Sequence, residues 1–200
     1  RSTLFPYTTL FRSNQRDPAS YIEKRVSHIP EDRHTTGLAL NWSLKNNLVL
    51  KNFGKFPICS HKIIQSKQVE ENWERAEKEY KIFAVDGDER ARSLSGGNQQ
   101  KVILARELNS DPRVLIANQP TRGLDVGAAE YVRTRIIEAR NSGTACLVIS
   151  ADLEEILQLS DRIAVIYSGM LMGILPRGSD LLEIGALMMG KRAEDLQVEK

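Results

Sequence analysis

Between residues 114 and 174 the chain alternates short apolar, β-branched runs with stretches of helical period, and that alternation most narrows what it can fold into. Residues 114–117 and 144–150 read as buried strands, separated by a helix over 127–140 that Asn141, Ser142 and Gly143 close. Two such strands joined through a helix need a crossover connection, so they pair in parallel under a helical layer. Asp152 and Glu155 stand at capping-box spacing before Ile156 and Leu157, which opens a further helix. Residues 163–167 and 171–174 form a last hairpin around Ser168 and Gly169, before a C-terminal helix near 181–189. Upstream, 26–29 is a short strand, and 40–92 is a helical segment whose clearest helix covers 62–80. There Ile63, Trp73, Ala76 and Tyr80 share a face, while Glu70, Glu71, Arg75 and Lys78 form a solvated one. The expected class is α/β, with a parallel sheet core and a helical subdomain.

The run Leu94-Ser95-Gly96-Gly97-Asn98-Gln99-Gln100-Lys101 is a turn nearly bare of side chains, set directly before the apolar run Val102-Ile103-Leu104-Ala105. Two glycines leave backbone N–H groups unshielded, and the helix that follows directs its positive end at them. Such a turn receives anions, phosphate above all. As an isolated tripeptide, Ser-Gly-Gly also serves an ordinary helix start.

Composition excludes several classes. A net charge of +2 with interspersed signs gives no basic stripe for nucleic acid. The longest apolar stretch, 163–175, is shorter than the ~20 residues of a membrane helix and is interrupted by Tyr167, Ser168 and Gly169. Cys59 and Cys146 lie in no metal-like spacing and suit free thiols in a reducing compartment. His28, His34 and His61 read as solvated loop residues. The 200 residues suffice for one core that buries about 70% of the unfolded chain's surface.

About twenty residues beyond the glycine turn come Val114-Leu115-Ile116-Ala117-Asn118-Gln119-Pro120-Thr121 and then Arg122-Gly123-Leu124-Asp125. In this order the motifs resemble the ATP-binding subunits of ABC transporters: LSGGNQQK as signature loop, VLIANQPT as Walker B strand, RGLD as D-loop. The extended forms GNQQKVILARE and PTRGLDVGA are similar to the second ATPase domain of double-length subunits that drive import of simple sugars (ribose or galactose type) or nucleosides. The resemblance covers about residues 21–191 and implies a partial P-loop NTPase (RecA-like) ABC ATPase domain. Its parts would be a Q-loop-side remnant of the core (14–39), a helical subdomain (40–92), the signature helix and α/β core (93–190) and a tail (191–200). Residues 1–13 repeat Thr-Leu-Phe between Arg-Ser ends, resemble translated sequencing-adapter read-through, and are set aside from the fold reading. GxxxxGK[ST] does not occur, so the first third of the domain, with its P-loop, is expected to be missing.

The resemblance implies ATP with Mg²⁺ as cofactors and a peripheral place on the cytoplasmic face of the membrane. It implies three partners: the first ATPase domain of the same full-length chain, membrane permease subunits, and indirectly a solute-binding protein. No nucleic-acid partner is expected. In the family the Walker B strand ends in Asp, for the metal, and Glu, the general base toward water; here Asn118 and Gln119 stand there. An amide takes no proton from water at neutral pH, and losing a general base forfeits about 10²–10⁴ in rate. The switch-histidine position holds Ala151. No catalytic position of this domain's own site is then intact. The signature half is intact: Ser95, Gly96, Gly97, Asn98 and Gln99, with Asp125, would contact nucleotide seated on the opposite domain. Glu31 stands at the Q-loop position, and assists metal or water or is a solvated turn carboxylate that transmits contact with the membrane subunit. Asp125 reads equally as a helix cap, and Asn118-Gln119-Pro120, by composition alone, as a turn. Two other classes stay open: a non-transport ABC ATPase, and an inert or regulatory fragment.

Overall fold

The computed structural model describes residues 17–191. The 1–13 segment and nearly all of the 191–200 tail lie outside the described residues. Helix α1 (Pro18–Glu23) starts on Asp17, whose carboxylate accepts the Ala19 N–H at 3.1 Å, with Pro18 where its missing N–H costs nothing. Strand β1 (Val26–Ile29) follows and leads through Pro30 into a π-helical turn, Arg33–Gly37. Asp32 begins that turn by accepting from the N–H groups of His34 (2.8 Å) and Thr35 (3.2 Å) and from the Thr35 hydroxyl (2.7 Å).

Helix α2 (Leu44–Val49) is capped by Ser43 and followed by a small antiparallel hairpin, β2 (Cys59–Ser60) and β3 (Ile63–Ile64), and then by α3 (Ser66–Tyr80). The helix expected from residue 62 therefore begins four residues later. His61 and Lys62 have φ of 50° and 63°, and two consecutive left-handed residues close a hairpin turn that no helix can run through. Ile63, expected on the buried face, is a strand residue 66% exposed, whereas Trp73, Ala76 and Tyr80 are buried as their spacing requires.

Helix α4 (Gly96–Leu108) leads to β4 (Val114–Asn118), α5 (Val126–Asn141), β5 (Ala145–Ile149) and α6 (Leu153–Leu159). The chain continues with the hairpin β6 (Arg162–Tyr167) and β7 (Met170–Pro176), and with α7 (Leu181–Met188). Asp152 accepts the Glu154 and Glu155 N–H groups at 2.9 and 3.3 Å. The reciprocal half of the expected capping box is absent, because the Glu155 side chain turns inward and its two oxygens have no partner among the described residues.

Strands β1, β4 and β5 form one parallel sheet in that order, with Ile29 opposite Ala117 and Asn118 opposite Ile149. Strand β5, expected to be buried, is covered on one face only. No described strand pairs with its outer edge, and Leu147 and Ile149 are 55% and 47% exposed. Helix α4 is the centre of the main core: Val102, Ile103, Leu104 and Ala105 are fully buried among Ile29 and Leu115 of the sheet, Leu44 and Leu48 of α2, and Trp73 of α3. Each of the buried Val, Leu and Ile side chains contributes about 1.5–3 kcal/mol by leaving water. A second cluster packs α7 on the β6/β7 hairpin through Ile163, Val165, Met172, Ile184 and Leu187.

One buried ionic latch ties the helical segment to the sheet. Glu107 of α4, its side chain 3% exposed, accepts from Lys51 Nζ at 2.6 Å, Arg106 Nε at 2.9 Å and the His28 N–H at 3.0 Å. Lys51, beyond α2, also donates to Ser27 Oγ of β1 at 3.3 Å.

Candidate functional site

The three parallel strands deliver four of the predicted positions, Glu31, Asn118, Gln119 and Ala151, to one edge of the sheet. β1 ends toward Pro30 and Glu31, β4 at Asn118 and Gln119, and β5 at Ser150 and Ala151. In open α/β sheets this carboxyl edge is where ligands bind. Asn118 closes the ladder against Ile149, and the Gln119 N–H continues it to the Ile149 carbonyl at 2.7 Å. Gln119 has φ 48°, a left-handed backbone that costs a side-chain-bearing residue about 1–2 kcal/mol, and its carbonyl accepts from the Arg122 N–H at 3.1 Å. Ala151 is exposed beside the α6 cap. Its methyl offers no hydrogen bond.

The glycine turn is built differently from the loop its sequence suggests. Gly96 and Gly97 are already the first two residues of α4, and Ser95 is its cap, its hydroxyl facing the Asn98 N–H at 3.5 Å and the Asn98 side-chain amide at 3.2 Å. The first N–H groups of a helix have no partner within it, so with Asn98 served by Ser95, those of Gly96 and Gly97 remain for a ligand. The side chains after them are used inward. Asn98 Oδ1 accepts the Phe83 N–H at 3.1 Å. Gln99, 5% exposed, donates to the Ala91 carbonyl at 3.0 Å and contacts His34 Nε2 at 3.0 Å. Gln100 donates to the Pro120 carbonyl at 2.8 Å, which fixes the helix start to the turn that follows β4. Lys101 donates to the Lys81 carbonyl at 2.8 Å and lies 5.0 and 5.2 Å from the Phe83 and Tyr131 ring centroids. Burial, with Lys81 nearby, lowers its ammonium pKa.

Asp125 caps α5, its Oδ1 accepting the Ala128 N–H at 2.8 Å, so the helix-cap reading of this residue is what the geometry displays. The same carboxylate faces the glycine turn: a Cβ added at Gly97 would stand 3.9 Å from Asp125 Oδ2 and 3.1 Å from the Ala128 methyl. Glu31 is ion-paired with Arg122, so the turn after β1 touches the turn after β4. His28, His34 and His61 are exposed, as the solvated reading expects, although His28 is a residue of β1 rather than of a loop; His34 Nε2 lies 3.0 Å from Gln99 Oε1, and the main-chain N–H of His28 donates to Glu107. Sequence gave no signal for Arg33, whose guanidinium Nη1 donates to the Arg122 carbonyl at 2.9 Å.

Amides at 118 and 119 offer only neutral oxygens, and no group of three or more His, Cys, Asp or Glu suited to a metal occurs among the described residues. An acid pair for Mg²⁺ is therefore not supplied by this strand end. A phosphate, by contrast, fits the bare N–H groups at Gly96 and Gly97.

The sequence profile of the ABC transporter family matches residues 8–122. The chain belongs to that family. Curated relatives are import ATP-binding proteins. The nucleoside import ATP-binding protein NupA of Lactococcus lactis subsp. cremoris is 44% identical over 179 residues, which is 89% of this chain and 35% of the relative. The guanosine import ATP-binding protein NupO of Bacillus subtilis is 41% identical over the same shares. The ribose import ATP-binding protein RbsA of Shouchella clausii is 38% identical over 80% of this chain and 32% of its own length. The chain thus spans about a third of the curated relatives it matches. Among solved structures, a dimeric post-hydrolysis state of an ATP-binding cassette bound to ADP and Pi superposes with TM-score 0.68 at 18% identity, covering 85% of this chain and 72% of that one. The ADP conformation of another ABC transporter cassette gives 0.64 at 19%, covering 92% and 71%. The fold is that of the ABC ATPase cassettes, a P-loop NTPase architecture.

Proposed function

We propose that this chain is part of the second ATPase domain of a double-length import subunit, and that its contribution to ATP hydrolysis is the signature half of a site rather than a cleavage centre. The observation that carries this reading is the pairing of two open N–H groups at the α4 start with amides at Asn118 and Gln119, where hydrolysis requires acids. ATP would be held by Ser95, Gly96 and Gly97 against a P-loop on the other ATPase domain, with Asp125 beside them. Mg²⁺ would be held by that other domain, and it supplies the charge neutralisation that phosphoryl transfer needs. Asn98 and Gln99 act through the helix they brace. The site built on this domain's own strand ends holds nucleotide and cleaves it poorly, because neither Gln119 nor Ala151 accepts a proton. Taken alone, the 200 residues are not an ATPase.

Nucleoside is the favoured solute class, since the two nucleoside relatives each match 89% of the chain, against 80% for the ribose relative of Shouchella clausii. A simple sugar of the ribose or galactose type is the second reading. Permease subunits, a solute-binding protein and a peripheral position on the cytoplasmic face complete the proposal. Among the described residues no helix is long and apolar enough to cross a membrane, so attachment would be through the permease.

The test is a pair of substitutions in the full-length subunit assembled with its permease. Gly97→Asp places a carboxylate against Ala128 and near Asp125 and is expected to abolish ATP turnover. Gln119→Ala is expected to leave most of it. Comparable loss from both would refute the asymmetry.

A further inference from the structure

Three turns meet around one guanidinium. Arg33 donates through Nη1 to the Arg122 carbonyl at 2.9 Å and reaches the Gly123 carbonyl with Nη2 at 3.4 Å. The same Nη2 would lie 3.2 Å from a Cβ at Gly96 and 3.4 Å from one at Gly123, so both glycines leave the room it occupies. Gly123 also has φ +68°, a conformation that glycine adopts without strain. Among the described residues no carboxylate pairs with Arg33, and its Nε is buried without a partner. Its base is fixed by Asp32, which gathers His34 and Thr35. Glu31, two residues earlier, holds the Arg122 side chain. The turn after β1 therefore grips residues 122 and 123 by side chain and main chain at once, and presses on the first residue of α4.

We propose that Arg33 is a positioning residue that holds the turn of residues 121–125 in register with the start of α4, so that Ser95, Gly96 and Asp125 meet one phosphate together. The inference rests on the ATP-site reading above. A planar guanidinium suits the task because its fork spans two carbonyls, which a lysine ammonium does not. Arg33 acts through the two turns and does not itself touch nucleotide.

The experiment uses the full-length subunit with its permease, as wild type, Arg33→Ala and Arg33→Lys. Amide hydrogen exchange is followed in peptides covering 94–98 and 120–125, with α3 as the control for folding. ATP kcat and KM are measured in parallel. Arg33→Ala is expected to speed exchange in the 120–125 peptide, where the Arg122 and Leu124 N–H groups are hydrogen-bonded, by about tenfold, leave α3 unchanged, and lower kcat by a similar factor with KM nearly constant. Arg33→Lys is expected to follow Arg33→Ala in exchange. Unchanged exchange in 120–125, full recovery by lysine, or a rise in KM at constant kcat would each overturn the proposal. If exchange speeds up while the wild type hydrolyses no ATP, the ATPase reading falls and the mechanical link between the two turns stands.

Discussion

Glu107→Gln is the substitution whose cost follows most directly from the structure. The carboxylate is 3% exposed and sits between Lys51 Nζ at 2.6 Å and Arg106 Nε at 2.9 Å, with side chains 14% and 6% exposed. Glutamine keeps the shape and removes the charge, which leaves two largely buried cations facing each other with no counter-ion. Breaking a buried pair in this way costs about 3–5 kcal/mol. At about 2–4 °C per kcal/mol for a domain of this size, the melting temperature should fall by roughly 6–20 °C. Glu71→Gln is the control: its pair with Lys67 is 51% and 87% exposed, and such surface pairs are worth about 0–1 kcal/mol. Thermal melting of the full-length protein by circular dichroism reads both. The pH dependence has a definite sign. Burial opposes the Glu107 charge, but Lys51 and Arg106 outweigh it and hold the carboxyl below its ordinary value. The latch therefore contributes fully above the unfolded carboxyl value of about 4.3, and its contribution is lost as pH falls through the lower folded value. The difference between wild type and Glu107→Gln should be flat near neutrality and shrink in acid. Equal melting temperatures, or a difference that grows in acid, would refute the reasoning.

Asp125→Ala removes the α5 cap and should cost about 0.5–2 kcal/mol, with a further loss of turnover if the carboxylate also serves the shared phosphate; Asp125→Asn, which keeps the cap, separates the two in a melting and ATPase comparison. Gln119→Gly relieves the left-handed backbone at φ 48° and should be neutral to about 1 kcal/mol stabilising with turnover retained, as denaturant titration and ATPase assay will read. Gly87→Ala places a methyl 2.8 Å from the Trp73 ring in the main core and should destabilise by about 1–3 kcal/mol, with a shifted tryptophan emission.

What the sequence disclosed were the features that local rules write into a few consecutive residues. Strands 26–29 and 114–117 announce themselves by composition, and the starts of α5 and α6 follow from Asp125 and Asp152 as caps. The apolar character of Ile63 fits a helix face as well as a hairpin, and only the left-handed His61 and Lys62 decide between them. The exposure of β5 depends on which strands flank it, a tertiary fact that its own residues do not encode. The latch between Lys51 and Glu107 joins residues 56 apart, and Arg33 acts on a turn 89 residues away; neither leaves a mark within a sequence window. At the site, Gly96 and Gly97 were legible as bare backbone, whereas their place inside the first turn of α4, and the inward use of Gln99, required coordinates.

In the proposed asymmetric ATPase, the signature turn of this chain serves a hydrolytic site while the strand ends behind Asn118, Gln119 and Ala151 retain ATP. A rapid-quench single turnover of the assembled transporter with labelled ATP tests it directly, by counting how much bound nucleotide becomes ADP. With the general base missing from one of two sites, about half of the bound ATP should convert promptly and the rest persist at least about 10²-fold longer. Conversion of all bound ATP in one phase would contradict the account.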